Sequence, residues 1–353
     1  MPIAPLAAQA PEPIRIEGLG TLSFPNSGSP DAQYPFLRGV LLLHSFEYGD
    51  AAAAFRRAQT IDPDFALAYW GEAMTHTHPV WNEKDTGAAR AILGRYASTP
   101  AGRAARAPTE RERGYLEAVD VLYGEGPKAR LDTLYAAAMG ALSQRHPDDL
   151  EARAFHALAL LGLSQGDRDV PRYMEAGAIA LDAFAANPEH PGAAHYVIHA
   201  FDDPTHAILA MDAAVAYGTM APDAAHAQHM TSHIFLARGM WDEVVEANVR
   251  ADAVVDRGLA ARGEPGTSCG HYNQWLSYGF QQEGRAGRAA ELVLACAAQA
   301  ADESRSPEAR ASADFSAGVQ RAWHLTDTER RGGPVARLRS TAADPSPAWL
   351  WGT

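Results

Sequence analysis

The sequence is poor in cysteine, in positive charge and in long apolar runs. Two cysteines, Cys269 and Cys296, are too few for a disulfide framework, although they leave a single bridge open. The net charge of -13 repels phosphate backbones, so nucleic acid is not an expected partner. No apolar run approaches the length that spans a bilayer, so membrane insertion is not expected either.

Strand-forming patterns are equally scarce. No run of alternating β-branched residues appears, whereas alanine-rich stretches such as 51–54 and 136–138 favour helix, so we expect an all-α fold. The N-terminus, Met1 to Ala4, lacks the basic start and apolar stretch of a secretory signal. The expected location is therefore the cytoplasm, or the periplasm or the exterior if a leader has been removed.

A helical repeat with a period of 34 residues is visible in the sequence. Small, aromatic and proline positions recur at fixed spacings, first at Gly39, Ala51, Phe55, Ala58 and Pro63. This spacing resembles the tetratricopeptide repeat (TPR), in which small residues let two helices approach closely. The resemblance implies a right-handed α-solenoid of helix pairs with a concave groove.

The same register continues towards the C-terminus. Pro188 and Pro222 are 34 residues apart, and Gly239 and Gly284 fall at the turn between the two helices of later repeats. Outside the register the pattern loosens. We therefore predict an N-terminal arm at residues 1–30 and a repeat array at residues 31–303, with insertions near 96–109 and 165–171. Residues 304–353 are predicted to form a helical or extended tail.

The histidines follow the repeat. His195 and His199 are four residues apart and share one helical face, and His229 and His233 occupy the same two positions of the next repeat. His226 and His271 share an earlier position in their own repeats. His44 and His78, 34 residues apart, share a third.

Two motifs strengthen the resemblance. The stretch His195–His199 and the stretch His226–His233 resemble a group of bacterial TPR proteins that carry the same HxxxH and HxxHMxSH patterns. In the TPR family these repeat positions line the concave groove, so the resemblance implies that the histidines face it. It also implies a shared histidine site, but no particular reaction.

Neutral imidazole is a common ligand of zinc, copper, iron and nickel, and an i, i+4 pair brings two ring nitrogens to one ion. The histidine register therefore predicts a metal site with one crowded centre or two neighbouring ions. The predicted ligands are His195, His199, His226, His229, His233 and His271. The predicted groove residues or partners of the ligands are His44, His78, Trp70, Asp202, Asp203, Gln274 and Tyr278.

A site rich in imidazole and poor in carboxylate suits copper or zinc better than magnesium, calcium or manganese. Six imidazoles in neighbouring sets also suit a binuclear copper centre that activates dioxygen, so copper is favoured over zinc or iron. We expect a metal-dependent enzyme, a copper-dependent oxidase or oxygenase, acting on a small molecule or peptide in the groove. A zinc protease is disfavoured, because no HExxH motif is present. The alternative is a non-enzymatic TPR protein that binds a peptide partner or sequesters metal. The sequence leaves the oligomeric state open.

Overall fold

Helices dominate both units into which the chain divides, Met1–Ala200 and Phe201–Thr353. The computed structural model describes residues 13–164, 168–329 and 333–338. The predicted arm 1–30, insertion 165–171 and tail 304–353 each include residues that lie outside these ranges. Within the described ranges the chain forms 16 α-helices, two short antiparallel hairpins and three short 3₁₀ helices.

The first unit begins with a small hairpin and continues as helices. The hairpin strands are β1 (Ile14–Ile16) and β2 (Gly20–Leu22), and a second hairpin lies between α3 and α4, with strands β3 (Thr77–His78) and β4 (Glu83–Lys84). The helices are α1 (Pro30–His44), α2 (Tyr48–Ile61), α3 (Ala66–Met74), α4 (Thr86–Tyr96), α5 (Pro100–Arg106), α6 (Glu110–Leu122), α7 (Lys128–Arg145), α8 (Leu150–Leu161), α9 (Val170–Ala186) and α10 (Pro191–Phe201).

The second unit follows the end of α10 and is built from six further helices in its described part. They are α11 (Met211–Met220), α12 (Ala225–Ala237), α13 (Trp241–Ala261), α14 (His271–Gln282), α15 (Ala286–Ala301) and α16 (Pro307–Thr328). Each of these helices packs against the next one along the chain. In the first unit the same next-neighbour packing joins α1 to α2, α2 to α3, and α6 through to α9.

The predicted helix pairing depends on an aromatic ring that fits between two glycines. Phe55 of α2 is fully buried, and a Cβ placed on Gly39 of α1 would lie 2.8 Å from its ring. A Cβ on Gly71 of α3 would overlap the same ring. The small positions of the repeat therefore let three successive helices close around one side chain. The helical content and this packing confirm the predicted all-α class built from paired helices.

The predicted turns also occur. Gly239 lies between α12 and α13 with φ +70°, and Gly284 lies between α14 and α15 with φ +75°. Glycine adopts this left-handed conformation without the steric cost that a side chain adds, and it commonly ends helices. The two short turns bring α12 against α13 and α14 against α15.

Segments outside the repeat pattern also have defined structure. Leu22 at the end of the first hairpin and Phe24 just after it are buried, and the Thr21 amide donates to the Glu189 carbonyl at 2.9 Å. Residues 96–109 contain α5, whose N-terminus is capped by the Thr99 hydroxyl. In the part of the chain that the structure describes, no helix is both long and apolar enough to cross a membrane.

Candidate metal centre

Three histidines of the second unit converge at the facing sides of α12 and α14. His229 and His233 are one turn apart on α12, each 1% exposed, and His271 is the first residue of α14. Each of the three offers a ligand atom, and these atoms all lie within 4.8 Å of one another. The helical register thus places two imidazoles on one buried face and a neighbouring helix supplies the third.

A hydrogen-bond chain fixes the tautomer of His229. Its Nδ1 lies 2.7 Å from the side-chain oxygen Oδ1 of Asn248 on α13. The Asn248 amide nitrogen donates to the Val244 carbonyl at 2.8 Å, which orients the amide so that Oδ1 faces the imidazole. Since Oδ1 can only accept, Nδ1 of His229 carries the proton, and Nε2 of the neutral ring carries a lone pair.

The carboxylate of Asp202 fixes the tautomer of His233 in a similar way. Its Nδ1 lies 2.7 Å from Asp202 Oδ2, in the segment that directly follows α10. An ionised carboxylate accepts, so Nδ1 of His233 donates and its Nε2 also presents a lone pair. The indole of Trp275 stacks on the same imidazole, with centroids 4.3 Å apart and planes 29° from parallel. The ring of His233 is thus held both at its edge and on one face.

The two imine nitrogens point at each other. Nε2 of His229 and Nε2 of His233 are 3.1 Å apart, although both Nδ1 atoms are already donors. Two facing lone pairs at this distance repel unless a cation or a shared proton lies between them. Two imidazole nitrogens bound to one tetrahedral zinc at ordinary bond lengths are about 3.3 Å apart, so the observed separation suits a metal ion.

His271 completes the group at the more accessible side. It is exposed at the protein surface by its accessible area, and its ring centroid lies 4.6 Å from that of His229. Desolvation by the surrounding side chains and repulsion by His233 lower the pKa of His271 to about 4. A histidine with this pKa is neutral at physiological pH and therefore able to act as a ligand.

His226 lies on the same helix three residues before His229, and the two ring centroids are 6.2 Å apart. The other predicted ligands, His195 and His199, form an i, i+4 pair on α10 of the first unit, with centroids 4.7 Å apart. Because His195 and His199 belong to the first unit and His226 to the second, their predicted grouping around one ion stays a prediction.

The α10 pair is oriented from within its own unit. His195 Nδ1 lies 2.6 Å from the His44 backbone carbonyl, so Nδ1 donates and Nε2 carries the lone pair. The ring of Phe46 covers both imidazoles, at 4.3 Å from His195 and 5.7 Å from His199. Phe46 is buried and has φ +56°, a left-handed conformation that side chains rarely adopt.

His44 does not line a groove, contrary to the prediction. Its side chain is fully buried, with Nε2 2.6 Å from Glu151 Oε2 and Nδ1 2.8 Å from the Tyr196 hydroxyl. His190 Nε2 lies 2.9 Å from the other carboxylate oxygen of Glu151. The position that repeats in sequence therefore faces the interior here, because a buried carboxylate gives the imidazole a polar partner.

The buried trio of His44, Glu151 and His190 also has potential ligand atoms within 4.8 Å of one another, but its protons are arranged differently. His190 Nδ1 accepts from the Ala193 amide at 3.1 Å, so its Nε2 carries the proton and donates to Glu151. Burial lowers the pKa of His44. Burial raises the pKa of Glu151, but attraction to the two imidazoles outweighs it and holds this pKa far below its ordinary value. The trio is a satisfied hydrogen-bond network, without converging lone pairs.

The structure gives contacts for four further residues that were predicted for the groove or as partners of the ligands. Trp70 is fully buried, with its ring against Phe24, Tyr115 and Phe155, because the indole fills the core of the first unit. Asp203 accepts from the backbone amide and the ring of His206 in a turn. Gln274 donates to Ser316 at 3.3 Å, and Tyr278 packs between Trp241 and Trp323.

His78, the remaining predicted groove residue, lies on the short strand β3. It stacks on Tyr48 with centroids 4.0 Å apart, and its Nε2 lies 3.2 Å from the Thr75 carbonyl. Among the residues predicted as partners of the ligands, Asp202 hydrogen-bonds to an imidazole of the His229, His233 and His271 group. Sequence reasoning missed Asn248, Trp275 and Glu151.

Comparison with known proteins adds little to this description. No family model matches the chain, and no curated protein matches it. Among solved structures, the chain is similar to the P58(IPK) TPR domain, with 14% identity over 87% of this chain and 95% of that chain, and a TM-score of 0.25. A likeness this weak carries no argument about the site, so the fold assignment depends on the packing of this chain's own helices.

Proposed function

We propose that His229, His233 and His271 bind a transition-metal ion and that the chain is a metal-dependent oxidoreductase, with copper as the first choice of metal. The proposal depends above all on the two Nε2 lone pairs that face each other at 3.1 Å. Proteins commonly hold metal-binding histidines by a second hydrogen bond from the other ring nitrogen. Asn248 and Asp202 supply such bonds here.

The donor set argues for the class of metal. Three imidazoles suit copper and zinc, whereas magnesium and calcium prefer oxygen ligands, and the common non-haem iron site includes a carboxylate ligand. Asp202 is already engaged at Nδ1 of His233. Cys269, the nearest cysteine in sequence, is in a disulfide with Cys296, so it offers no thiolate. Copper forms the stronger complexes with nitrogen ligands among the divalent first-row metals.

A bound copper ion supplies one-electron redox chemistry, whereas zinc supplies Lewis acidity. The chain's own residues hold the ligands: Asp202 and Asn248 fix the tautomers, and the lowered pKa of His271 keeps it neutral. Among the residues that the structure describes, three ligand atoms converge in this group, and a four-coordinate ion held by them has a further position for a substrate or solvent. A small molecule or a peptide remains the proposed substrate.

Two rivals share the same geometry. A proton shared between the two Nε2 atoms, giving one imidazolium, relieves the repulsion without any metal. Metal sequestration, or peptide binding by the helical array, needs no turnover. Metal content distinguishes the shared proton from a bound metal ion. Oxygen consumption distinguishes an oxidoreductase from a protein that only sequesters metal or binds a peptide.

The first experiment is elemental analysis and Cu(II) and Zn(II) titration of protein purified without a histidine tag. We expect about one ion bound at the His229, His233 and His271 site, with tight Cu(II) binding. The His229→Ala/His233→Ala variant should lose this binding. His146→Ala is the matched control, since His146 ends α7 of the first unit, and it should leave this site unchanged. Folded wild-type protein that binds neither ion overturns the metal proposal.

Copper-loaded protein should then consume oxygen in the presence of a reducing substrate, and the His229→Ala/His233→Ala variant should not. Copper binding without oxygen consumption supports sequestration or delivery instead. A strong preference for zinc over copper at equal free concentrations contradicts the oxidoreductase assignment.

A further inference from the structure

A disulfide lies immediately before His271. Cys269 and Cys296 are joined, with their Cα atoms 5.0 Å apart and their positions separated by 27 in the sequence. Cys296 is fully buried on α15, whereas Cys269 is half-buried in the loop that leads from α13 into α14. The bridge therefore anchors the residue two positions before a candidate ligand to the interior of the unit.

The first residue of α14 lies at the surface, whereas the later part of the helix packs in the interior of the unit. Leu276 and Phe280, further along the helix, pack in a buried cluster with Val245 and Ala289. Residues 262–266 of the preceding loop are exposed. Gly270, with φ +113°, links the bridge to the helix, and its amide donates to Ser316 at 2.9 Å.

His271 also differs from the other two ligands in how it is supported. His229 and His233 are buried on α12, and each donates to a neighbouring side chain. His271 is exposed and contacts the group through ring packing, at 4.6 Å from His229. Its place in the group thus depends mainly on where the first turn of α14 lies.

We propose that the Cys269–Cys296 disulfide is a positioning element for His271, so that its reduction weakens metal binding at the His229, His233 and His271 site. The metal-binding part of this inference rests on the proposed function. Reduction by a dithiol transfers two electrons and two protons to the bridge, which becomes two thiols while the dithiol closes to its own disulfide. The start of α14 is then held by hydrogen bonds and side-chain packing without a covalent link, and the distance of His271 from the other two rings is less firmly fixed.

The test uses four proteins in a double-mutant cycle: wild type, Cys269→Ser/Cys296→Ser, His271→Ala, and the combined triple variant. Zn(II) is the probe, because it does not oxidise thiols, and far-UV circular dichroism checks that each variant folds. We expect removal of the bridge to weaken Zn(II) binding by about tenfold or more in wild type and by less than about twofold in the His271→Ala background. An equal loss in both backgrounds, or no loss in wild type, overturns the proposal.

A Cys269→Ala/Cys296→Ala variant provides a second form in case the serine variant folds poorly, and it also adds no thiolate that binds Zn(II). It should bind Zn(II) more weakly than wild type. Equal or tighter binding by this variant contradicts the positioning role.

Hydrogen exchange gives a readout that needs no metal. The Gln274 amide donates to the Gly270 carbonyl at 3.0 Å and reports whether the first turn of α14 is formed. We expect loss of the bridge to speed exchange in a peptide covering residues 268–276 but not in one covering α12. Unchanged exchange refutes the positioning role even if metal binds, whereas faster exchange in a protein that binds no metal refutes the proposed function alone.

Discussion

Asp202 and Asp203 are adjacent carboxylates to which the structure gives different roles. Asp202 accepts from Nδ1 of His233 at 2.7 Å, whereas Asp203 accepts from Thr205, His206 and the His206 ring. Replacing Asp202 with alanine removes the group that fixes the His233 tautomer. Losing such a partner costs about 10- to 100-fold in metal affinity. Because the Asp202 side chain is 24% exposed, water can partly replace it, and we expect the lower end, about tenfold or ~1.4 kcal/mol.

The measurement is competitive titration of Cu(II) and Zn(II) at pH 7 with Asp202→Ala, Asp202→Asn and Asp203→Ala. Asp202→Asn keeps an oxygen acceptor and should recover most of the affinity. Asp203→Ala loosens the turn at His206 but should change affinity by less than about twofold. The tautomer argument is refuted if Asp202→Ala binds as tightly as wild type, or if the two alanine variants lose affinity equally.

Three further outcomes follow from the same geometry. Asn248→Leu should weaken metal binding by up to about 100-fold, since Asn248 is fully buried and water cannot replace it, while Asn248→Asp should retain binding in the same titration. Glu151→Ala should lower the free energy of unfolding of the first unit by about 3–5 kcal/mol in urea denaturation, and a loss below about 1 kcal/mol contradicts the buried network. For metal-free protein, the free energy of unfolding should fall as the pH drops from about 6.5 towards 4. The reason is that the His271 pKa is about 4 in the folded chain and about 6.5 in the unfolded chain, so the unfolded chain binds more protons in this pH range. In denaturation experiments at pH 7 and pH 5, the His271→Gln variant should lose less free energy of unfolding between the two pH values than wild type.

The repeat could be predicted because its physical requirements are local. Gly39 must be small where Phe55 packs, and Gly239 needs a left-handed turn, so both positions leave a readable pattern along the chain. The hairpin of β1 and β2 leaves no such pattern, since its strands have three residues each and are fixed by contacts with residues distant in sequence, such as the hydrogen bond from Thr21 to Glu189 in the loop between α9 and α10.

The candidate site could be predicted only in part for the same reason. His229 and His233 share a helical face, and spacing alone puts them together. His44 has the same kind of repeat signal, but its direction depends on Glu151, which lies 107 positions away and looks like an ordinary exposed acid in the first turn of a helix. Asn248 likewise acts through a contact that no local pattern announces.

Phe46 shows where the chain accepts an unfavourable backbone. A left-handed conformation costs a residue with a side chain about 1–2 kcal/mol, and glycine would avoid that cost at this turn. The position nevertheless holds a phenyl ring, and that ring lies over His195 and His199. A Phe46→Gly variant should therefore relieve the strained backbone at this turn and at the same time expose the imidazoles of His195 and His199 to solvent. The two effects distinguish the cost of Phe46 to the backbone from its role in covering these two rings.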